Sequence, residues 1–187
     1  MFTKAWHLAA TLALVAGTGP MAQAAPQAAP LAFYVGMHGA EIRKGTFNPA
    51  DGTLTIDGVV AQVPRPTWTL AHPTLPVLYA ANEVGNDGDI NGSVYAFRVD
   101  RKTGALTKLG EQDAGGGGTT YLTLDARSHT LLAANYGAGS VASFPIAKDG
   151  SIGPRASLVV DTGSGPHKRQ AKPHAHAPAV VPWRAQS

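Results

Sequence analysis

From residue 31 onward the apolar positions fall in short runs, and none of them keeps the i, i+3, i+4, i+7 spacing of an amphipathic helix. Runs rich in β-branched and aromatic residues alternate with clusters of Gly, Asp, Asn and Pro, which is the pattern of strands separated by turns. The pattern predicts strands over 31–36, 41–47 and 53–62, then 67–72, 77–82, 93–99 and 105–111. It continues with 119–125, 130–135, 140–146 and 151–160, and a last strand is expected over 174–180.

The chain also repeats. Trp68-Thr-Leu-Ala-His-Pro-Thr-Leu-Pro-Val-Leu-Tyr-Ala-Ala-Asn82 aligns with Tyr121-Leu-Thr-Leu-Asp-Ala-Arg-Ser-His-Thr-Leu-Leu-Ala-Ala-Asn135, and Gly92-Ser-Val-Tyr-Ala-Phe97 with Gly139-Ser-Val-Ala-Ser-Phe144. Turns recur at Asp51-Gly52, Thr103-Gly104 and Asp149-Gly150, each before a short apolar run. A period of about 50 residues with four strands per unit is the signature of β-propeller blades. Residues 31–62 supply only three strands and lack an innermost one, whereas 174–180 reads as the innermost strand of a further unit. The expected fold class is therefore all-β, an incomplete propeller of four-stranded blades. Such rings need at least about four blades to cover their faces and edges, so the chain reads as roughly half of a larger protein. Residues 177–187 leave the repeat, and self-association through bare sheet edges is expected.

Ahead of the repeat, Lys4, the apolar run His7–Val15 and the small-x-small triplet Ala22-Gln23-Ala24 form the pattern of a secretory signal peptide over 1–24. That run is too short to span a bilayer, so no membrane association is expected after cleavage. A flexible lead-in follows over 25–30, and the expected location is periplasmic or secreted. With no cysteine, stability must come from burial rather than disulfides. The balance of 15 basic and 12 acidic side chains is a small, dispersed excess without an aromatic-interleaved basic strip, which argues against nucleic acid as a partner. Low charge together with 22 Gly and 14 Pro suits a turn-rich β protein rather than a disordered chain.

Chemistry concentrates in Gly165-Pro-His-Lys-Arg-Gln-Ala-Lys-Pro-His-Ala-His176. His174 and His176 lie at the start of the expected last strand, where period two would project both imidazoles from one face. Imidazole titrates near neutrality and serves as general base or acid, and the Arg169 guanidinium is suited to hold an oxyanion or a phosphate. With His167 the two histidines could gather a transition metal, but no carboxylate shares their spacing and no HExxH helix exists, so no metal and no cofactor are expected. Gly115–Gly118 is followed by no Lys-Ser/Thr and no helix, and it reads as a flexible loop between blades rather than a phosphate cradle. Glu83, before Gly85-Asn-Asp-Gly88, is either a site residue or a turn carboxylate. Asn82 and Asn135 read first as turn-capping amides. His38, His72 and His129 read as strand-end or turn residues, and Trp68 and Phe97 as blade core.

Tyr34-Val-Gly36, Asp51-Gly-Thr-Leu54, Leu78-Tyr-Ala-Ala-Asn-Glu83, Gly92-Ser-Val94, Thr103-Gly-Ala-Leu106, Ala134-Asn-Tyr-Gly137, Gly139-Ser-Val141, Arg169-Gln170 and Pro173-His-Ala-His176 together resemble, in order and spacing, the bacterial seven-bladed propeller lactonases of the 6-phosphogluconolactonase type. The likeness spans 31–176, about three of seven blades. Met37 and His38 depart from the small hydroxyl residues usual after Tyr-Val-Gly, and Thr119-Thr-Tyr121 stands where members often carry Pro and His. The resemblance implies hydrolysis of 6-phosphoglucono-1,5-lactone or a related aldonolactone, with a small sugar lactone as partner. It places Glu83, Arg169, His174 and His176 in the central channel as catalytic residues, and Asn135, His167, Lys168 and Gln170 are expected to bind substrate. A phosphorylated lactone belongs to cytoplasmic metabolism while the leader points outward, so either the substrate is an unphosphorylated lactone or the family activity does not apply. The alternatives are a non-catalytic propeller binding module and an inactive remnant.

Overall fold

The computed structural model describes residues 29–87 and 90–181. The leader read over 1–24, most of the lead-in and the end of the off-pattern tail lie outside these residues. Three antiparallel sheets follow one another along the chain. The first is β1 (Leu31–Gly36), β2 (Glu41–Phe47) and β3 (Leu54–Gln62), in spatial order β1-β2-β3. The second is β4 (Trp68–Ala71), β5 (Val77–Ala81), β6 (Ser93–Val99) and β7 (Leu106–Asp113), again in chain order. The third is β8 (Thr119–Asp125), β9 (Thr130–Asn135), β10 (Ser140–Pro145) and β11 (Ser157–Val160). These are three blades of a propeller, the first without its innermost strand.

β5 shows why the blades stack. Val77, Leu78, Tyr79, Ala80 and Ala81 are all buried, which alternation on a single covered face would not require. Val77, Tyr79 and Ala81 join Val94, Ala96, Leu122, Leu131, Ala133 and Phe144 in the core between the second and third blades. Leu78 and Ala80 point the other way and meet Ile42, Val63, Tyr95 and Phe97 in the core between the first and second. Period two therefore sends alternate side chains of one strand into two different cores, and a near-continuous apolar run results. The innermost strands sit side by side, β4 against β8, and the rings of Trp68 and Tyr121 meet there at 4.1 Å. Trp68 packs on the inter-blade core and Phe97 is buried within the other, as the repeat predicts.

The expected turns form where the repeat puts them, with Gly52, Gly104 and Gly150 all at positive φ, a backbone shape that costs glycine little. Three expectations change. Residues 174–180 are not a strand: among the described residues they join no sheet ladder, and Pro173 and Pro178 carry no N–H for one. The last strand of the third blade begins at Ser157 rather than 151, because Pro154 interrupts the ladder after the single Ile146–Ile152 bridge. Gly115–Gly118 is not flexible filler. Gly116, Gly117 and Gly118 are buried, and their backbone bonds to Gly92, Ala138, Val84 and Tyr136 sew the second blade to the third. A Cβ on Gly117 would fall inside the radius of the Gly85 carbonyl oxygen, so only glycine admits this approach.

Candidate active site

Antiparallel pairing fixes which loops share an end of the blades. The register Trp68–Ala81 sets the entry to β4 beside the exit of β5, and Thr119–Asn135 does the same for β8 and β9. Arg65, Glu83, Gly118 and Tyr136 therefore cluster at one end, tied by Glu83 N–H donating to the Arg65 carbonyl at 2.9 Å and Tyr136 N–H to the Gly118 carbonyl at 2.7 Å. Residues 161–176 fold back over this end. A single 3-10 turn, Lys168–Gln170, begins the return. Lys172 Nζ then donates to the Asp87 carbonyl at 3.1 Å, and Pro173 lies against Gly139, where a Cβ would come within 2.6 Å of the Pro173 carbonyl.

Tyr136 is the centre of the arrangement. The His174 ring stacks on it at 4.2 Å with 13° between planes, and the His176 ring meets it edge-on at 4.8 Å and 73°. The two imidazoles thus meet on one tyrosine although no strand holds them. His174 Nδ1 lies 2.9 Å from the Tyr136 carbonyl and its Nε2 lies 3.1 Å from the Arg169 carbonyl. His176 is exposed, and no hydrogen bond to its ring is found among the described residues. Two depressions adjoin at His174. One, of about 510 Å³, is lined by Asn86, Asp87, Tyr136, Lys168, Arg169 and His174 among others. The other, of about 640 Å³, includes Asp161, Gln170, Lys172, His174 and His176. Three full cations against two carboxylates leave this end electropositive, suited to an anionic group or a developing oxyanion.

The expected site residues are divided by the structure. His174, His176, Arg169, Lys168 and Gln170 come together around the two depressions. His167 does not line either; its Nδ1 accepts the Arg169 N–H at 3.2 Å and caps the 3-10 turn, a positional role. Glu83 also stands outside them, with Oε1 accepting from Asn86 Nδ2 at 3.1 Å, so it reaches the site only through Asn86. Asn135 is withdrawn altogether. It has no exposed surface, Oδ1 accepts from Thr119 Oγ1 at 2.8 Å, and Nδ2 donates to the Ala114 carbonyl at 2.9 Å and to Ser140 Oγ at 3.1 Å. Both amide N–H donors are spent inside the blade, and with no exposed surface the side chain presents nothing to a sugar hydroxyl. Asn82 is likewise buried, with Oδ1 accepting the Ser93 N–H at 2.9 Å, as a capping amide should. Among the described residues no three of His, Cys, Asp and Glu converge as a metal would require.

Sequence reasoning missed Tyr136, Lys172, Asn86 and Arg65. Tyr136 was detectable, since the aligned repeat sets it opposite Glu83 one blade earlier. Arg65 gives no such signal. Its φ of 45° is unusual for a non-glycine residue, and Nη2 lies 3.4 Å from His38 Nε2 on the same end of the blades.

Residues 31–185 match the family described as lactonase, seven-bladed β-propeller. The chain is 33% identical over 124 residues to a 6-phosphogluconolactonase of Bacillus subtilis, a stretch that makes up 66% of this chain and 34% of that protein. Among solved structures it superposes on the periplasmic gluconolactonase of Pseudomonas aeruginosa with a TM-score of 0.73 at 28% identity, covering 82% of this chain and 45% of the other. A Bacteroides fragilis candidate 6-phosphogluconolactonase gives 0.75 at 28% identity, over 86% of this chain and 45% of that one. The chain thus spans about a third of the length of the curated relatives it matches.

Proposed function

The chain belongs to the seven-bladed β-propeller lactonase family, and from that premise we propose that residues 31–176 carry the ester-opening end of a sugar lactonase. The observation that carries the reading is the convergence of two imidazoles on one tyrosine beside Arg169, Lys168 and Lys172, at the end where the inner strands begin. In the proposed reaction an imidazole of the His174/His176 pair takes a proton from water as the oxygen adds to the lactone carbonyl. The cations steady the oxyanion, and the ring C–O bond then breaks, its oxygen leaving as a hydroxyl after receiving a proton. The substrate class is an aldonolactone. Activity is measured by pH-stat on glucono-1,5-lactone and on its 6-phosphate, above spontaneous opening. Arg169→Ala is expected to lower kcat/KM about 10²-fold, by removal of an oxyanion-stabilising donor. A rate equal to that of the unsubstituted protein refutes the site, and preference between the two substrates shows whether the cations hold a phosphate.

We further assign residues 1–24 to a removable leader, 25–30 to a lead-in and 177–187 to an off-pattern tail, with the mature chain in the periplasm. The leader pattern supports this, as does the relative that is itself a periplasmic gluconolactonase. Among the described residues no helix is long and apolar enough to cross a membrane. N-terminal sequencing of exported protein tests it; an intact Met1 refutes cleavage. The second reading, a binding module without turnover, draws on Glu83 and Asn135 standing away from the depressions. It is favoured if a sugar acid binds in calorimetry while neither lactone is opened.

A further inference from the structure

We infer that the two histidines have different jobs: His174 is a positioning residue that moors the cationic turn, and His176 alone is free to move a proton. The division of labour rests on the lactonase reading; the mooring rests on geometry alone. Backbone carbonyl oxygens accept hydrogen bonds and never donate them. His174 faces one with each ring nitrogen, at 2.9 Å and 3.1 Å. A neutral imidazole has a single N–H and can satisfy one of these carbonyls, with its other lone pair turned against an oxygen; only the doubly protonated ring satisfies both. In neither state does a nitrogen of His174 present a lone pair to a substrate. The stack on Tyr136 closes one face of the ring as well. What the ring does instead is bridge two pieces of chain, the exit of β9 at Tyr136 and the 3-10 turn at Arg169. Without it, Lys168 and Arg169 are held over the third blade chiefly through Lys172 and the Pro173 contact. His176 meets Tyr136 edge-on, is exposed and lines a depression with Gln170, and among the described residues no hydrogen bond engages either of its ring nitrogens.

Diethylpyrocarbonate acylates an imidazole nitrogen that offers a lone pair, and site-resolved mass spectrometry of the full chain at neutral pH separates the two histidines. His176 is expected to label at least about tenfold faster than His174, the factor set by one or two hydrogen bonds that must first break. Equal rates, or faster labelling of His174, overturn the inference. Tyr136→Ala removes the stack but keeps the carbonyl, so it is expected to narrow the difference without erasing it; equal labelling of the two rings in a folded variant overturns the hydrogen-bonded clamp. If it does not fold, the unsubstituted protein still decides. On a protein that opens lactone, His176→Gln is expected to lower kcat about 10²-fold. His174→Phe, which keeps the stack and removes both ring nitrogens, is expected to raise KM about tenfold, with kcat within about threefold. The reverse pattern overturns the assignment. Absence of turnover in the unsubstituted protein would remove the lactonase reading and leave the labelling to judge the clamp.

Discussion

Tyr34 and Tyr79 occupy equivalent places in consecutive blades, and each sends its hydroxyl to the outer turn of the next blade. Tyr34 Oη donates to the Gly104 carbonyl at 3.0 Å and Tyr79 Oη to the Gly150 carbonyl at 2.9 Å. The turn glycines of the repeat thus have a second use, as acceptors for a latch between blades. Burial, with Asp149 nearby, pushes the Tyr79 phenol up to about 12. A phenol whose folded value lies above its ordinary 10.0 contributes stability that is complete below pH 10 and is lost as pH rises toward the folded value. Tyr79→Phe leaves the Gly150 carbonyl without this partner and is expected to cost about 1–3 kcal/mol in urea denaturation. It should also remove part of the alkaline loss between pH 10 and 12, monitored by circular dichroism.

Each strand-linking element shows a different balance between local chemistry and packing. The tight turns are local: Asp51, Asp100, Asp125 and Asp149 accept hydrogen bonds from amides or hydroxyls two or three residues on. Foremost are the Thr53 and Thr103 amides and the Ser128 and Ser151 hydroxyls, and these hold all four carboxyls below their usual range. Groups depressed in the fold stabilise it above their unfolded value of 3.8 and cease to do so as pH falls through the folded values. Thermal stability is therefore expected to hold from neutrality to about pH 4 and to decline below it. Gly116–Gly118 is the opposite case, a segment governed wholly by what lies against it. Gly117→Ala is expected to cost about 3 kcal/mol or more, since the obstruction is backbone that cannot swing aside. Gly110→Ala, whose Cβ would meet nothing, is expected to stay within about 1 kcal/mol, both read by thermal melts. The segment 174–180 shows the same dependence from the other side: its strand-like pattern joins no ladder among the described residues, and Pro178 withholds one of the N–H groups a ladder would use.

At the scale of the molecule, the second blade is covered on both faces and its neighbours on one. Leu31, Leu54 and Ile56 on the first blade and Val159 and Val160 on the third are 51–66% exposed. In the two inter-blade cores of this chain the equivalent surfaces are closed. Size-exclusion chromatography across a concentration series is expected to show association, and Leu54→Lys with Val159→Lys is expected to shift the chain toward monomer. Concentration-independent monomer in the unsubstituted chain contradicts this.

Most strand positions, the turn glycines, the blade repeat and the lactonase likeness were legible in the amino-acid sequence, because alternation, β-branching and Asp-Gly turns act over a few residues and recur at a fixed interval; the strand expected over 174–180 and the start expected at 151 were not. The order His-Lys-Arg-Gln followed by His-Ala-His also announced where cations and imidazoles would gather. Which of them face an open depression depended on contacts between residues far apart in the chain. Tyr136 meets His174 across 38 positions, and Thr119 and Ala114 fill the valences of Asn135. A side chain's chemistry is written in its type, but whether its lone pairs remain available is decided by what the fold brings within 3 Å of them.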